Sequence, residues 1–255
     1  MKITNHQQLP EPLYQAIVQQ SQAHSVGKAD ISCTQLIDAP LIAWLWRNYG
    51  DSVEEDASVY PVGGTASHRL WALYGSLAHK ILEAYQGDGL HVETEAITEV
   101  DGFRVSGHLD LLVFPDGTIQ DYKFTSAWTV AAAKKDGKIE WERQLNVYRF
   151  LLQHDPSLNF AAVRHLQIVA MLRDYGPRHV SEGLKPVEVL DVPLWEDEQV
   201  ETYIKERVRL HQAAMGKEIP PQCTPEERWA NKKGEDKRCD SYCAFGKQQL
   251  CPYRE

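Results

Sequence analysis

Residues 102–124 constrain the fold more than any other stretch of the chain. Two apolar runs with β-branched residues, 102–114 and 118–124, flank Pro115-Asp116-Gly117-Thr118, which has strong turn chemistry. The pair reads as a β-hairpin. Leu109, Leu111, Leu112 and Val113 give the first run the composition of a central strand, where a charge needs a reason. The hairpin nevertheless carries Asp110, Asp121 and Lys123. If Asp116-Gly117 is a two-residue loop, Pro115 pairs with Thr118 and Asp110 lies opposite Lys123. Asp121 then faces Leu112, one pleat away. Side chains alternate with period two, so residues 110, 121 and 123 share one face of the sheet. Tyr122 is expected on the opposite face, in the core. Two carboxylates and an ammonium on one spot suit a hard cation such as Mg²⁺ or Mn²⁺. The competing reading is an ordinary hairpin with charges on its solvated side.

The surrounding pattern alternates helices and strands. Residues 34–48 have helical spacing, with Thr34 as a cap. A loop is expected over 51–64. A helix over 66–86 follows, with Leu70, Leu73, Leu77, Ile81 and Tyr85 along one side. Strands are expected at 91–97, 102–114, 118–124, 165–173 and 186–192, and helices at 140–153 and 195–214. The order implies an α/β fold, a mixed central sheet flanked by helices. Three segments are expected: a lead-in over 1–30, the main domain over 31–219, and a small cysteine-rich extension over 220–255. On the helix before the sheet, His79 and Glu83 lie four apart and share a face. Gln144 and Tyr148 do the same on the helix after it. Glu95, on the strand before Asp110, is a further candidate carboxylate.

The formal net charge of −9 argues mildly against a nucleic-acid partner, because DNA affinity rests on Lys and Arg. A bound metal or a basic face would offset it. Lys123, Lys134, Lys135, Lys138, Arg143 and Arg149 form such a stretch; it also fits a plain solvated helix face. No apolar run approaches the length that spans a membrane and the first residues, MKITNHQQLPEPL, lack the apolar stretch of a signal peptide, so a cytoplasmic location is expected. Four of the five cysteines, Cys223, Cys239, Cys243 and Cys251, crowd the last 33 residues. In a reducing compartment such a cluster reads as a metal site before it reads as disulfides. Apart from Trp229, Tyr242, Ala244, Phe245, Leu250 and Tyr253, the tail has few residues to bury. Metal binding is expected to order it against the helix carrying Gln144 and Tyr148 or the one carrying Cys33.

Four elements in order resemble the RecB-like branch of the PD-(D/E)XK nucleases. They are His79 in Gly75-Ser-Leu-Ala-His79, Asp110 in Gly107-His-Leu-Asp110, Asp121-Tyr-Lys123, and Gln144-Leu-Asn-Val-Tyr148. The resemblance spans roughly 30–150. It implies a restriction-endonuclease-like core and a metal-dependent DNA nuclease, an exonuclease acting on single strands or DNA ends. His79, Asp110 and Asp121 would hold Mg²⁺ or Mn²⁺. Lys123 would assist the attacking water, and Gln144 and Tyr148 would position the substrate backbone or the lysine. Glu83 and Glu95 stay open as extra carboxylates. Some relatives, including phage and CRISPR-associated exonuclease-like proteins, staple the domain ends with one early and three late cysteines around a [4Fe-4S] cluster. Here Cys33 opens the first helix, earlier than the relatives' cysteine, so Cys223, Cys239, Cys243 and Cys251 are favoured as the four ligands. Zn²⁺ is the alternative metal. Two other functions stay open: a catalytically silent DNA- or protein-binding module, and a restriction-type endonuclease.

Overall fold

The computed structural model describes residues 1–6, 8–22, 28–56, 68–85, 87–114, 116–158, 162–216 and 218–254. In chain order the elements begin with β1 (Lys2–Thr4), α1 (Glu11–Gln22), β2 (Ile31–Ser32), α2 (Cys33–Ile37) and α3 (Pro40–Tyr49). A 3₁₀ turn, Gly50–Ser52, leads to β3 (Glu54–Asp56) and α4 (His68–Glu83). Then come β4 (Leu90–Val100), β5 (Phe103–Val113), β6 (Thr118–Thr125), α5 (Ala127–Asp136), α6 (Ile139–His154) and β7 (His165–Leu172). The last are α7 (Pro177–Ser181), β8 (Val187–Val192), α8 (Asp197–Ala213), α9 (Lys237–Ser241) and α10 (Ala244–Lys247). The chain divides into two compact units. One comprises Met1–Ser25, Asp38–Leu73 and Glu206–Glu255; the other comprises Val26–Ile37 and Tyr74–Lys205.

The second unit holds a six-stranded mixed sheet, so the expected α/β architecture is present. β5 is its centre. One edge pairs antiparallel with β4 along its whole length. The other edge is shared: β2 takes Val105 and Ser106 in parallel, and β6 takes Leu111 to Val113 antiparallel. β6 continues in parallel to β7, and β7 pairs antiparallel with β8. Helix α6 packs on β4, β5, β6, β7 and β8 and on α2. Its residues from Gln144 to Leu152 are all buried, as a helix covering a sheet in a packed interior requires. Leu109, Ile119, Ile168 and Ala170 on the strands are fully buried.

The first unit is organised differently. Leu41, Trp44 and Leu45 of α3 form a cluster with Val53, Ala244 and Phe245. The cysteine-rich tail therefore has an apolar anchor that its composition did not suggest. Phe245 is fully buried, worth about 1.5–3 kcal/mol against exposure. Arg238 of the tail pairs with Asp38 at 2.7 Å, and Arg207 with Glu227 at 3.1 Å.

Five expectations need correction. The helix expected over 34–48 is two helices, broken at Ala39, whose backbone is extended (φ −60°, ψ 130°). Pro40 disfavours helical geometry in the residue before it and instead opens α3. Short α5 and α7 and strand β3 were not expected; β3 lies inside the loop expected over 51–64, of which 57–64 fall outside the described residues. The helix expected from 66 is described only from His68, and its side is not uniformly covered: Leu70 is buried, but Leu77 and Ile81 are exposed, as is Tyr85 beyond its end. The hairpin is not a two-residue one. Val113 pairs with Thr118, so residues 114–117 make the link; Pro115 lies outside the described residues. Tyr122 is half-buried, with its ring 6.3 Å from that of His79, and is not a core residue. Among the described residues, no helix is long and apolar enough to cross a membrane.

Candidate active site

The site begins where β5 and β6 part. Their ladder runs Val113↔Thr118, Leu112↔Ile119 and Leu111↔Gln120, then stops. The next residues in that register are Asp110 and Asp121. Instead of a backbone pair, the Asp110 carboxylate enters the gap, and its Oδ2 accepts a hydrogen bond from the Tyr122 amide at 2.6 Å. The strands separate at the point where both aspartates need room. The expected register was wrong by two residues. A shift of two preserves the face of every side chain, so Asp110, Asp121 and Lys123 converge all the same.

Asp121 is almost fully buried on β6. Its Oδ2 lies 2.6 Å from Lys123 Nζ, and its Oδ1 accepts from Gln144 Nε2 at 3.0 Å. Lys123 also donates to Gln144 Oε1 at 3.1 Å, and Gln144 Nε2 donates to the Tyr148 hydroxyl at 2.8 Å. One amide thus fixes the acid, the lysine and the tyrosine together. The geometry depends on Gly107. A Cβ there would meet Leu151 Cδ1 and Tyr148 Cδ1 at 2.8 Å, so only glycine lets α6 lie this close to β5.

His79 of α4 reaches in from the other side, its Nδ1 3.3 Å from Asp110 Oδ1. The hydrogen bond to Asp110 raises the imidazole pKa against the opposing effect of burial, with help from the charges of Glu93 and Asp121. Glu93, which the sequence reading missed, completes the cluster. Ligand atoms of His79, Glu93 and Asp110 all lie within 4.8 Å of one another. In the β4–β5 register Val92 faces Leu111 and Thr94 faces Leu109, so Glu93 stands opposite Asp110. Its backbone is left-handed, with φ 47°, unusual for a strand residue. Of the acids expected instead, Glu95 is exposed and 3.5 Å from His108, and Glu83 is exposed at the end of α4.

Burial raises the Glu93 pKa, and the nearby Asp110 charge adds to it. Burial, partly offset by Lys123 and reinforced by Asp110, lifts Asp121 to about 6. Acids that hinder one another's ionisation in this way have the chemistry of a divalent-cation site. The carboxylates supply the hard oxygen donors that Mg²⁺ and Mn²⁺ take, and His79 adds a softer nitrogen donor.

The cysteines separate into two environments. Cys33 is fully buried in the second unit, its Sγ 3.7 Å from the Gln144 carbonyl, and burial drives its pKa far up. Cys223, Cys239, Cys243 and Cys251 belong to the first unit. Cys223, Cys243 and Cys251 border the Phe245 cluster, and the Cys239 carbonyl lies so near Gly246 that a Cβ there would sit 2.5 Å away. Cys223 is pushed up to about 12, first by burial and then by neighbours that include Cys239 and Cys243. Cys239 is raised by burial and by Cys243 and Cys251. All five thiols are unbridged.

A family model described as the PD-(D/E)XK nuclease superfamily matches residues 16–252. A search of curated proteins finds no match. Among solved structures, SSO0001 superposes with a TM-score of 0.57 at 16% identity, covering 95% of each chain. A phage related exonuclease from Haemophilus somnus 129PT matches with a TM-score of 0.40 at 16% identity over 77% of this chain and 96% of its own. An alkaline exonuclease, LHK-Exo from Laribacter hongkongensis, matches with a TM-score of 0.39 at 14% identity over 71% and 87%. The first similarity speaks to fold alone, and the other two carry no weight.

Proposed function

The chain belongs to the PD-(D/E)XK nuclease superfamily, and on that premise we propose that it is a divalent-metal-dependent deoxyribonuclease hydrolysing phosphodiester bonds at DNA ends. The observation that carries this reading is the cluster of His79, Glu93 and Asp110, ligand atoms within 4.8 Å of one another, together with Asp121 and a Lys123 ammonium fixed by two partners. His79, Glu93, Asp110 and Asp121 would hold Mg²⁺ or Mn²⁺. When bound, the ion polarises the phosphodiester and makes a water more acidic.

The chain's own residues do the positioning. Lys123 has no freedom to wander, because Asp121 Oδ2 and Gln144 Oε1 both hold Nζ. A fixed ammonium can orient the attacking water and stabilise negative charge that builds on the phosphoryl oxygens, without reorganising as it does so. Tyr148 acts through Gln144, whose amide it keeps turned so that its oxygen meets Lys123 and its nitrogen meets Asp121. His79 acts on Asp110 in the same way. The exonuclease assignment rests on the RecB-like resemblance and its Gln-x-x-x-Tyr helix. A silent binding module is disfavoured, because binding alone gives no reason to bury Asp121 beside Asp110.

We also propose that Cys223, Cys239, Cys243 and Cys251 hold a [4Fe-4S] cluster, with Zn²⁺ as the alternative. Supporting it are four unbridged thiols in one unit, two of which, Cys223 and Cys239, are held back from ionising by burial and by neighbouring sulfurs, an effect a bound cation would reverse. Cys33 is fully buried, its Sγ against the Gln144 carbonyl, and that burial makes it a poor fourth ligand.

End-labelled linear DNA and covalently closed circular DNA, each with Mn²⁺ or with EDTA, test the reading. Metal-dependent loss of linear DNA from its ends, absent in Asp110→Ala, is expected. Wild-type cleavage by Asp110→Ala sinks the metal site, and cutting of the circle sinks the exonuclease assignment.

A further inference from the structure

Residues 228–238, within the segment between Cys223 and Cys239, form a structured basic hairpin. Ala230 and Asp236 form an antiparallel bridge. Asn231 closes the turn: its backbone amide donates to the Glu235 carbonyl, and its side-chain oxygen accepts from the amides of Lys233 and Glu235 at 2.8 and 3.1 Å. Gly234 supplies the left-handed residue, φ 80°. The base is pinned as well. Arg228 donates to the Cys223 carbonyl at 2.9 Å and pairs with Asp236, and the Arg238 amide donates to the Arg228 carbonyl at 3.0 Å.

Two features in and beside this hairpin are presented to solvent. The first is charge. From Arg228 to Arg238 there are five bases and two acids, net +3, in a chain of net −9. Arg228 and Arg238 are paired with Asp236 and Asp38, and Glu235 accepts from Asn231 Nδ2 at 2.6 Å. Lys232 and Lys233 stand exposed at the tip. The second is an aromatic pair. Trp229 and Tyr242 meet edge to face, centroids 5.2 Å apart, yet remain 38% and 49% exposed. The Arg238 guanidinium lies 5.6 Å from the Trp229 ring centroid and braces it. Trp229 has a left-handed backbone, φ 53°, a strained choice for a bulky residue that the folded tail must hold in place.

We infer that this hairpin is a nucleic-acid contact that takes an unpaired DNA strand, Lys232 and Lys233 meeting phosphates and the Trp229–Tyr242 pair offering a surface on which bases stack. The inference rests on the nuclease reading for the identity of its ligand. The charge sign selects a polyanion, and exposed aromatics beside lysines are what a strand with free base faces can use and a closed duplex cannot. It also gives the long spacing between Cys223 and Cys239 a use, since the thiol site brackets the hairpin at both ends.

The test uses the full chain carrying Asp110→Ala, so that DNA is bound and not cut. Affinity for a fluorescein-labelled oligothymidylate of about 20 nucleotides, longer than many single-strand sites, is read by anisotropy across a salt series. Adding Lys232→Ala and Lys233→Ala should flatten the slope of log affinity against log salt by about 1.4, which is about 25-fold between 1 M and 0.1 M salt. Tyr242→Leu should weaken binding about tenfold or more with the slope unchanged, and Tyr242→Phe should restore it. Metal content and thermal melting equal to the parent exclude misfolding. An unchanged slope in the double lysine variant overturns the inference. A lysine effect equal on duplex and single strand, or a silent Tyr242→Leu, overturns the assignment to an unpaired strand. Wild-type cleavage with Mn²⁺ is scored separately, so failure of the hairpin leaves the nuclease reading standing, and failure of cleavage is seen without reference to the hairpin.

Discussion

Replacing Asp121 with Asn should stabilise the metal-free protein at neutral pH. Asp121 is 2% exposed, and its carboxyl ionises near 6 where an ordinary one does so near 3.8. Each unit of displacement is about 1.4 kcal/mol, so keeping this carboxylate charged in the folded chain costs about 3 kcal/mol. That figure already includes the attraction of Lys123, which lowers the pKa. Asn keeps the shape and an Oδ1 for Gln144 Nε2. The sign follows from proton binding. Below pH 3.8 the carboxyl is protonated in both states and the two proteins should match. As pH rises to about 6, the unfolded chain releases its proton first, and the wild type loses stability that the variant keeps. Urea unfolding in EDTA should therefore show Asp121→Asn ahead by about 3 kcal/mol at pH 8 and by about half that at pH 5. Saturating Mg²⁺ should close the gap by stabilising the wild type alone, by about 2.7 kcal/mol at a hundred times the dissociation constant. A variant less stable than wild type at pH 8, or a gap that ignores pH, would falsify the picture of a strained carboxylate held ready for a cation.

Three further outcomes are expected. Lys123→Ala should cut the single-turnover rate by about 10²–10³-fold with little change in DNA affinity; equal losses in both would make Lys123 a phosphate contact. Gly107→Ala should push Tyr148 and Leu151 off β5, lowering stability by about 1–3 kcal/mol and the rate with it, and a silent variant would mean that the close packing does not hold Gln144. Cys239→Ser should lose bound iron or zinc and leave the tail open to protease while Cys33→Ser keeps its metal; the reverse pattern restores Cys33 as the fourth ligand.

The parts of the site that alternation controls were legible, and the parts set by local distortion were not. The β5–β6 register was misplaced by two residues because Asp116-Gly117 imitates a two-residue loop, while the link runs from 114 to 117. The three charged residues met regardless, since period two forgives an even error. Glu93 could be found only by counting along the β4–β5 pairing to the residue opposite Asp110, a register that the sequence reading did not work out. Glu95, one of the residues chosen in its place, sits one pleat further along on the same strand and pairs with His108. The break at Ala39 was written in Pro40 and was passed over because the apolar spacing ran through it. The tail is the converse case: composition suggested that only metal could order it, yet Phe245 finds a full core among Leu41, Trp44 and Leu45. Burial of a single aromatic is enough to anchor α10, so a metal proposed at the four thiols would serve to hold the stretch that α10 does not reach, the hairpin between Cys223 and Cys239.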